Sequence, residues 1–247
     1  MARVAVVTGG GSGLGESISA QLAHDGHRVA VLDVNGEAAD RVVAELRAGG
    51  AQALAVQVDV ADTDSVATAF NTVRSAFGPV EILITSAAVA GFTRFDQITL
   101  EEWNRYLAVN LTGTFLCMQA ALSDMVGAEW GRIVTISSAA GQNGASRQGH
   151  YSASKGGVIA LTKTVALDYA AKGITVNTVP PFIIDTPMLR EQQRAKKLPP
   201  AEVLTKAIPA GRLGTGEDVA ALCAFLCSDA ASYITGQVIG VNGGAVI

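Results

Sequence analysis

The stretch RVAVVTGGGSGLGESISAQLAHDG, residues 3–26, decides the fold. Arg3 to Val7 is a short Val-rich apolar run, read as a buried strand. It feeds Thr8-Gly9-Gly10-Gly11-Ser12-Gly13-Leu14-Gly15, and ESISAQLAHDG then reads as a helix stopped by Gly26. Glycines between a strand and a helix let the backbone turn tightly and approach a pyrophosphate, whose charge meets the helix N-terminus. By itself such a cluster also fits an ordinary tight turn. Asp33 adds weight to the first reading. It ends the next strand, RVAVLDV, 20 residues after Gly13. There a carboxylate can accept from both hydroxyls of an adenosine ribose and would repel a 2′-phosphate. Ser12 and Val34 offer that phosphate no cation. The pattern therefore favours NAD over NADP.

The same alternation continues outward. EAADRVVAELRAGG reads as a helix closed by glycines, ALAVQVDV as a strand ending at Asp59-Val60, and DTDSVATAFNTVRSAFG as a helix capped by Asp62 with Asp64 in its first turn. VEILITSAAV is a fourth strand with its exit loop. In the second half, TLEEWNRYLAVNLTGTFLCMQAALSDMVG reads as one long helix. GRIVTISS and ITVNTVP read as strands, GEDVAALCAFLCSD as the last helix and ITGQVIGVNGG as the last strand. Such spacing demands parallel strands with right-handed crossovers. The strands show little polar alternation, which fits a sheet covered by helices on both faces. The expectation is one α/β domain over residues 1–247, a doubly wound parallel sheet of about seven strands. Residues 188–211, polar and carrying Pro199, Pro200 and Pro209, read as an inserted loop with one or two short helices, a common home for a substrate lid.

Composition narrows the function classes. The chain has 247 residues, 49% hydrophobic and 16% charged, enough for one large core. A net charge of -4 with no block of Lys and Arg speaks against nucleic acid or an anionic membrane as partner. No apolar run reaches the ~18 residues of a membrane span. The first strand begins almost at once, so no secretory leader and a cytoplasmic location are expected. Cys117, Cys223 and Cys227 form no metal ligand set and read as reduced core thiols.

The chemistry gathers in SSAAGQNGASRQGHYSASK, residues 137–155. Tyr151 and Lys155, four apart, leave one helical face a turn apart. A free Tyr, with a pKa of about 10, stays protonated, and a neighbouring cation favours its phenolate. A Ser hydroxyl across the site could hold the oxygen that exchanges the proton. Taken alone, Tyr-x-x-x-Lys recurs by chance on many helices, as a half-buried phenol and a solvated amine.

Thr8-Gly-x-x-x-Gly-x-Gly15, Asp59-Val60, Asn110 in VNLTG, Ser138 and Tyr151-x-x-x-Lys155 occur together and in order. This set resembles the short-chain dehydrogenase/reductase (SDR) family over essentially the whole chain. TGGGSGLG, GRIVTISS, YSASKGG and TGQVIGVNGG are close to the branch of 3-oxoacyl-carrier-protein reductases and alcohol and hydroxysteroid dehydrogenases. The resemblance implies a Rossmann-like fold and a role for each matching position. Tyr151 would be the acid/base. Lys155 would lower its pKa and bind the nicotinamide ribose. Ser138 would bind the substrate oxygen, and Asn110 would hold a water linking Lys155 to solvent. Gly9, Ser12, Gly13, Leu14 and Gly15 would line the pyrophosphate. Asp33 would bind the adenosine ribose, Asp59 and Val60 the adenine. Ala87, Pro181, Ile184 and Thr186 would flank the nicotinamide end, and Met188 the substrate. Family spacing selects Ser138 and leaves Ser137 structural. His150, beside Tyr151 at a helix start, is expected to point elsewhere.

Two places depart from the family pattern. Thr85-Ser86-Ala87-Ala88 stands where Asn-Asn-Ala-Gly is usual, which removes amide contacts and a flexible glycine. Phe182 follows Pro181 where a glycine is usual, and is expected to narrow or reshape the substrate pocket. Glu129 stands where carrier-protein reductases often present a basic residue to an acidic carrier.

The sequence thus favours an NAD(H)-dependent enzyme that interconverts a small ketone and a secondary alcohol, with no metal. Reduction of a 3-oxoacyl thioester is the alternative within the class. A dinucleotide-binding sensor or scaffold is the alternative outside it, but a pure binder has no need of the Asn-Ser-Tyr-Lys set. A methyltransferase would have no task for the Tyr-Lys pair. The apolar surplus on the long helix from Glu101 to Val126 and on the Tyr151 helix suggests a homotetramer or homodimer.

Overall fold

A computed structural model describes residues 2–247. The first half alternates strand and helix: β1 (Val4–Thr8), α1 (Gly13–His24), β2 (Arg28–Asp33), α2 (Gly36–Ala48), β3 (Ala53–Gln57), α3 (Thr63–Phe77) and β4 (Ile82–Thr85). The second half continues with α4 (Leu100–Leu107), α5 (Gly113–Ala128), β5 (Gly131–Ile136), α6 (Ala139–Asn143), α7 (Gly149–Tyr169) and β6 (Ile174–Val179). Then follow α8 (Pro187–Arg194), α9 (Ala201–Leu204) and α10 (Gly216–Cys227).

Among the described residues six parallel strands form one sheet in the order β3-β2-β1-β4-β5-β6. The order reverses between β1 and β4, the place where open α/β sheets form a crevice beyond the strand ends. Each sheet face carries its own buried apolar layer. Val6, Phe70 and Met118 belong to one; Val7, Ile18 and Val219 belong to the other. This two-sided burial explains why the strands read as apolar runs rather than alternating ones.

The expected seventh strand is only partly made. Its segment bridges β6 at Val238 to Thr178, and pairs again just past β6 at Val241 to Pro181. Backbone bonds join Gly236 to Val176, Gln237 and Ile239 to Thr178, and Val241 to Pro180 and Phe182, with a gap at Pro180, which has no N–H to donate. The expected long helix is also modified. A π-helical turn, Ala108–Thr112, separates α4 from α5 and holds Asn110. Such widened turns often mark functional positions. α6, which the sequence did not suggest, is a five-residue helix capped by Ser138, whose hydroxyl accepts from the Ala140 N–H at 3.1 Å. Asp62 caps α3 as expected, accepting from the Ser65 N–H. The three thiols are free and buried, and burial pushes Cys117 and Cys227 up to about 12, which keeps them unreactive. Among the described residues no helix is long and apolar enough to cross a membrane.

Candidate active site

A cleft of about 780 Å³ opens beyond the C-terminal ends of β1, β4 and β5. That size falls in the roughly 300–1,000 Å³ range of small-molecule sites. At one end stand Gly9, Ser12, Gly13, Leu14 and Asp33, with Asp59 and Val60 beside them. At the other stand Ser138, Tyr151 and Lys155. Ala87, Pro181, Phe182, Ile184, Thr186 and Met188 also line it. Gly15 and Asn110 do not.

The glycine turn is built for close approach. Gly9 and Gly13 have φ of 64° and 55°, in the left-handed region that favours glycine. A Cβ on Gly9 would lie 2.7 Å from the Ala87 backbone. Gly15 serves packing instead: a Cβ there would meet the Gly9 carbonyl oxygen. Ser12, the N-cap of α1, makes no side-chain cap bond, so the first-turn N–H groups face the cleft with their partial positive charge. This arrangement fits a pyrophosphate.

Asp33 is oriented by its own neighbours. Its Oδ2 accepts from the Gly11 N–H at 2.9 Å and its Oδ1 from the Asn35 N–H at 3.0 Å. Both lone-pair sets are thereby aimed before any ribose arrives. Arg41 stands behind the same turn, a residue the sequence did not single out. Its guanidinium donates to the Gly11 carbonyl at 3.0 Å and is paired with Glu16 and Glu45, each at 2.9 Å.

A row of buried threonines runs across the sheet beneath the cleft. Thr8, Thr85, Thr135 and Thr178 are register partners on β1, β4, β5 and β6. The Thr8 hydroxyl accepts from the Ser86 and Ala87 N–H groups, at 3.2 and 3.3 Å. It thus ties down the turn that lacks the usual asparagines. Ala88, in place of glycine, keeps an ordinary negative φ, so the expected loss of flexibility has no backbone consequence.

At the other end, burial raises the Tyr151 pKa above its ordinary value, and the neighbouring Ser138 hydroxyl only partly opposes this. The phenol is therefore protonated in this state. Burial also pushes Lys155 down to about 8. Its Nζ donates to the Ile136 carbonyl at 2.7 Å and lies 6.0 Å from the Tyr151 ring centre. In this arrangement burial dominates the Tyr151 phenol, and the Lys155 ammonium is hydrogen-bonded to a backbone carbonyl. Ser137 is structural, as anticipated: it is buried and donates to the Lys155 carbonyl at 2.9 Å.

Asn110 is fully buried and its side chain is already engaged. Its Oδ1 accepts from the Val89 N–H at 2.8 Å, and its Nδ2 donates to the Val89 carbonyl and to Ser154 Oγ, both at 3.0 Å. The side chain holds the β4 exit loop against α7 rather than reaching into the cleft. His150 is also fully buried and off the cleft wall. Among the lining residues the sequence reading missed are Asn143 and Gln148, both from the α6–α7 segment. Only the fold of that loop brings them to the wall. The expected lid is two short helices, and α8 starts directly against the glycine turn. Thr186 caps it by accepting from the Leu189 N–H, and its Cβ is 3.7 Å from where a Gly13 Cβ would be. No cluster of metal-ligating side chains exists among the described residues.

The comparisons with known proteins agree with this geometry. A family model described as Enoyl-(Acyl carrier protein) reductase, of the short-chain dehydrogenase type, matches residues 9–246. The chain is 41% identical to a 3-oxoacyl-[acyl-carrier-protein] reductase of Synechocystis, covering 100% of this chain and 98% of that protein. It is 40% identical to a cis-4-hydroxycyclohexanecarboxylate dehydrogenase of Sinomonas cyclohexanicum, covering 98% and 96%. The crystal structure of gox2181 superposes with a TM-score of 0.94 at 34% identity, covering 99% of this chain and 95% of that one. With a strand-turn-helix glycine site and a Ser-Tyr-Lys constellation on opposite ends of one cleft, the chain belongs to the short-chain dehydrogenase/reductase family and is an oxidoreductase of that family.

Proposed function

We propose that the protein is an NAD(H)-dependent enzyme interconverting a ketone and a secondary alcohol, with Tyr151 as the acid/base. The observation that carries this reading is that Ser138, Tyr151 and Lys155 together line the end of the cleft away from the glycine turn. When bound, a reduced nicotinamide would supply the hydride. The protein must orient the carbonyl and manage one proton. Ser138 Oγ holds the carbonyl oxygen, and the protonated Tyr151 phenol donates to it. Lys155, whose pKa of about 8 keeps it mostly charged at neutral pH, supports the phenolate left behind. Asn110 positions the wall of the site through Val89 and Ser154.

NAD is preferred over NADP because the preset Asp33 carboxylate would oppose a 2′-phosphate, and Arg41 is occupied by two glutamates. Gly9, Ser12, Gly13 and Leu14 hold the pyrophosphate, with Asp59 and Val60 at the adenine. Ala87, Pro181, Ile184 and Thr186 flank the nicotinamide end, while Phe182 and Met188 shape the substrate side under the lid of α8 and α9. The 3-oxoacyl-[acyl-carrier-protein] reductase names carried by several relatives support a second reading, reduction of a 3-oxoacyl thioester. Glu129, exposed and carrying the wrong charge for an acidic carrier, favours a free ketone or alcohol.

Steady-state assays with NADH and NADPH against ketones, alcohols and one 3-oxoacyl thioester test these readings together. Turnover of a free ketone with NADH supports the first, and turnover confined to the thioester supports the second. Cofactor binding without any turnover would favour a sensor. Exposed Phe115 on α5 and Leu167 on α7 support assembly into a dimer or tetramer through these helices. Sedimentation showing only monomer at micromolar concentration would refute that.

A further inference from the structure

Helix α7, which carries Tyr151 and Lys155, starts without an ordinary side-chain cap. Its N-cap residue, Gln148, donates its side-chain amide to the Gly91 carbonyl at 3.3 Å instead. The first N–H groups of a helix have no partner within the helix and must find one elsewhere. His150 supplies one: its Nδ1 accepts from the Tyr151 N–H at 2.8 Å. An imidazole that accepts at Nδ1 carries its proton at Nε2. Nε2 lies 3.1 Å from Glu102 Oε1 on α4, to which it donates. The same carboxylate oxygen accepts from the Thr93 hydroxyl at 2.8 Å. The ring lies flat on Tyr106, with centres 3.7 Å apart and planes 5° from parallel. Each edge and one face of the buried imidazole are therefore specified.

We propose that His150 is a positioning residue for Tyr151: a neutral imidazole, clamped to α4 by Glu102 and Tyr106, that holds the peptide N–H of Tyr151 and so fixes where its phenol stands in the cleft. His150 is not on the cleft wall and touches no reacting atom. It acts one bond away, on the backbone that carries the phenol. The turn before it, Gln148-Gly149, includes a glycine and gives little restraint of its own. Proton transfer is sensitive to such placement, and a shift of about 1 Å can cost on the order of 10²-fold in rate. The inference rests on the reading of Tyr151 as proton donor.

The test is steady-state kinetics on the full-length protein with whichever ketone the wild type reduces, beside NADH binding and thermal melting. Wild-type turnover tests the underlying reading, and the variants test His150. His150→Asn places an acceptor where Nδ1 stood but cannot reach Glu102. His150→Phe keeps the stacking ring and loses both hydrogen bonds. The expected result is a kcat for His150→Phe lowered about tenfold or more, with KM and NADH affinity within about twofold of wild type. His150→Asn should recover part of that kcat, because it restores the acceptor for the Tyr151 N–H without the clamp. Equal kcat losses in both variants, or a lowered melting temperature with unchanged kcat, would overturn the proposal. If His150→Phe does not fold, Glu102→Gln against Glu102→Ala carries the same contrast. Gln retains an acceptor for Nε2–H and should keep kcat, whereas Ala frees the ring and should lose it; equal kcat in the two would count against His150.

Discussion

The Lys155 ammonium donates a 2.7 Å hydrogen bond to the carbonyl of Ile136, the last residue of β5. One bond thus couples the Tyr151 helix to the strand that leads into Ser138. The ammonium is buried with one acceptor, and desolvation lowers its pKa from 10.5 to about 8.

This shift has a consequence for stability. The folded protein releases the Lys155 proton near pH 8, whereas the unfolded chain keeps it to about 10.5. The unfolded state therefore binds more protons in between, and the Lys155 contribution to stability rises with pH from about 8. Below pH 8 the buried charge is a full penalty. The buried thiols and Tyr151 act in the opposite sense at higher pH, because their pKa values are raised. Comparison with Lys155→Met cancels those contributions. Urea denaturation of the cofactor-free protein should show the Met variant's advantage shrinking by about 1 kcal/mol between pH 7.5 and 9. A constant difference would mean that the ammonium is not desolvated.

Tyr151→Phe removes the only proton the cleft offers at that position while leaving the ring in place. Turnover should fall by about 10²-fold or more, in the range expected for loss of a general acid. NADH binding, followed by cofactor fluorescence, should stay within about twofold. Unchanged turnover would remove Tyr151 from the mechanism.

Asp33→Ala removes the carboxylate that Gly11 and Asn35 hold in place. The preference for NADH over NADPH, measured as the ratio of kcat/KM values, should fall about tenfold or more, equivalent to roughly 1.4 kcal/mol. Two backbone N–H groups also lose their acceptor, so stability should drop by about 1 kcal/mol. A variant with undiminished NADH preference would place discrimination elsewhere.

Phe182 is half-buried and lines the cleft just after Pro181. Phe182→Gly should admit bulkier ketones and weaken binding of small ones, raising their KM several-fold with little change in kcat. The same substrate range and affinities in the variant would show that the ring does not shape the pocket.

Asn110→Leu should leave the Val89 N–H, the Val89 carbonyl and Ser154 short of a partner behind the cleft wall. A loss of about 2–3 kcal/mol in unfolding free energy is expected from orphaned buried groups. If the variant unfolds at the wild-type denaturant midpoint, the Asn110 side chain is not the anchor described.

Much of this was legible in the residues themselves. Glycine at 9 and 13, apolar runs of strand length and the four-residue step from Tyr151 to Lys155 are local signals, because backbone sterics and helical periodicity act over a few residues. They determined a parallel α/β fold, the glycine turn, the Asp33 position and the shared helical face of Tyr151 and Lys155. Only the tertiary structure decided what those side chains meet. Pro180 leaves a gap in the pairing of the final strand because it has no N–H to donate across the ladder. Asn110 spends its amide on Val89 and Ser154, and Lys155 its ammonium on Ile136, because buried polar groups take the partners that packing places beside them. Those partners lie 19 or more residues away in the chain, beyond the reach of any local pattern.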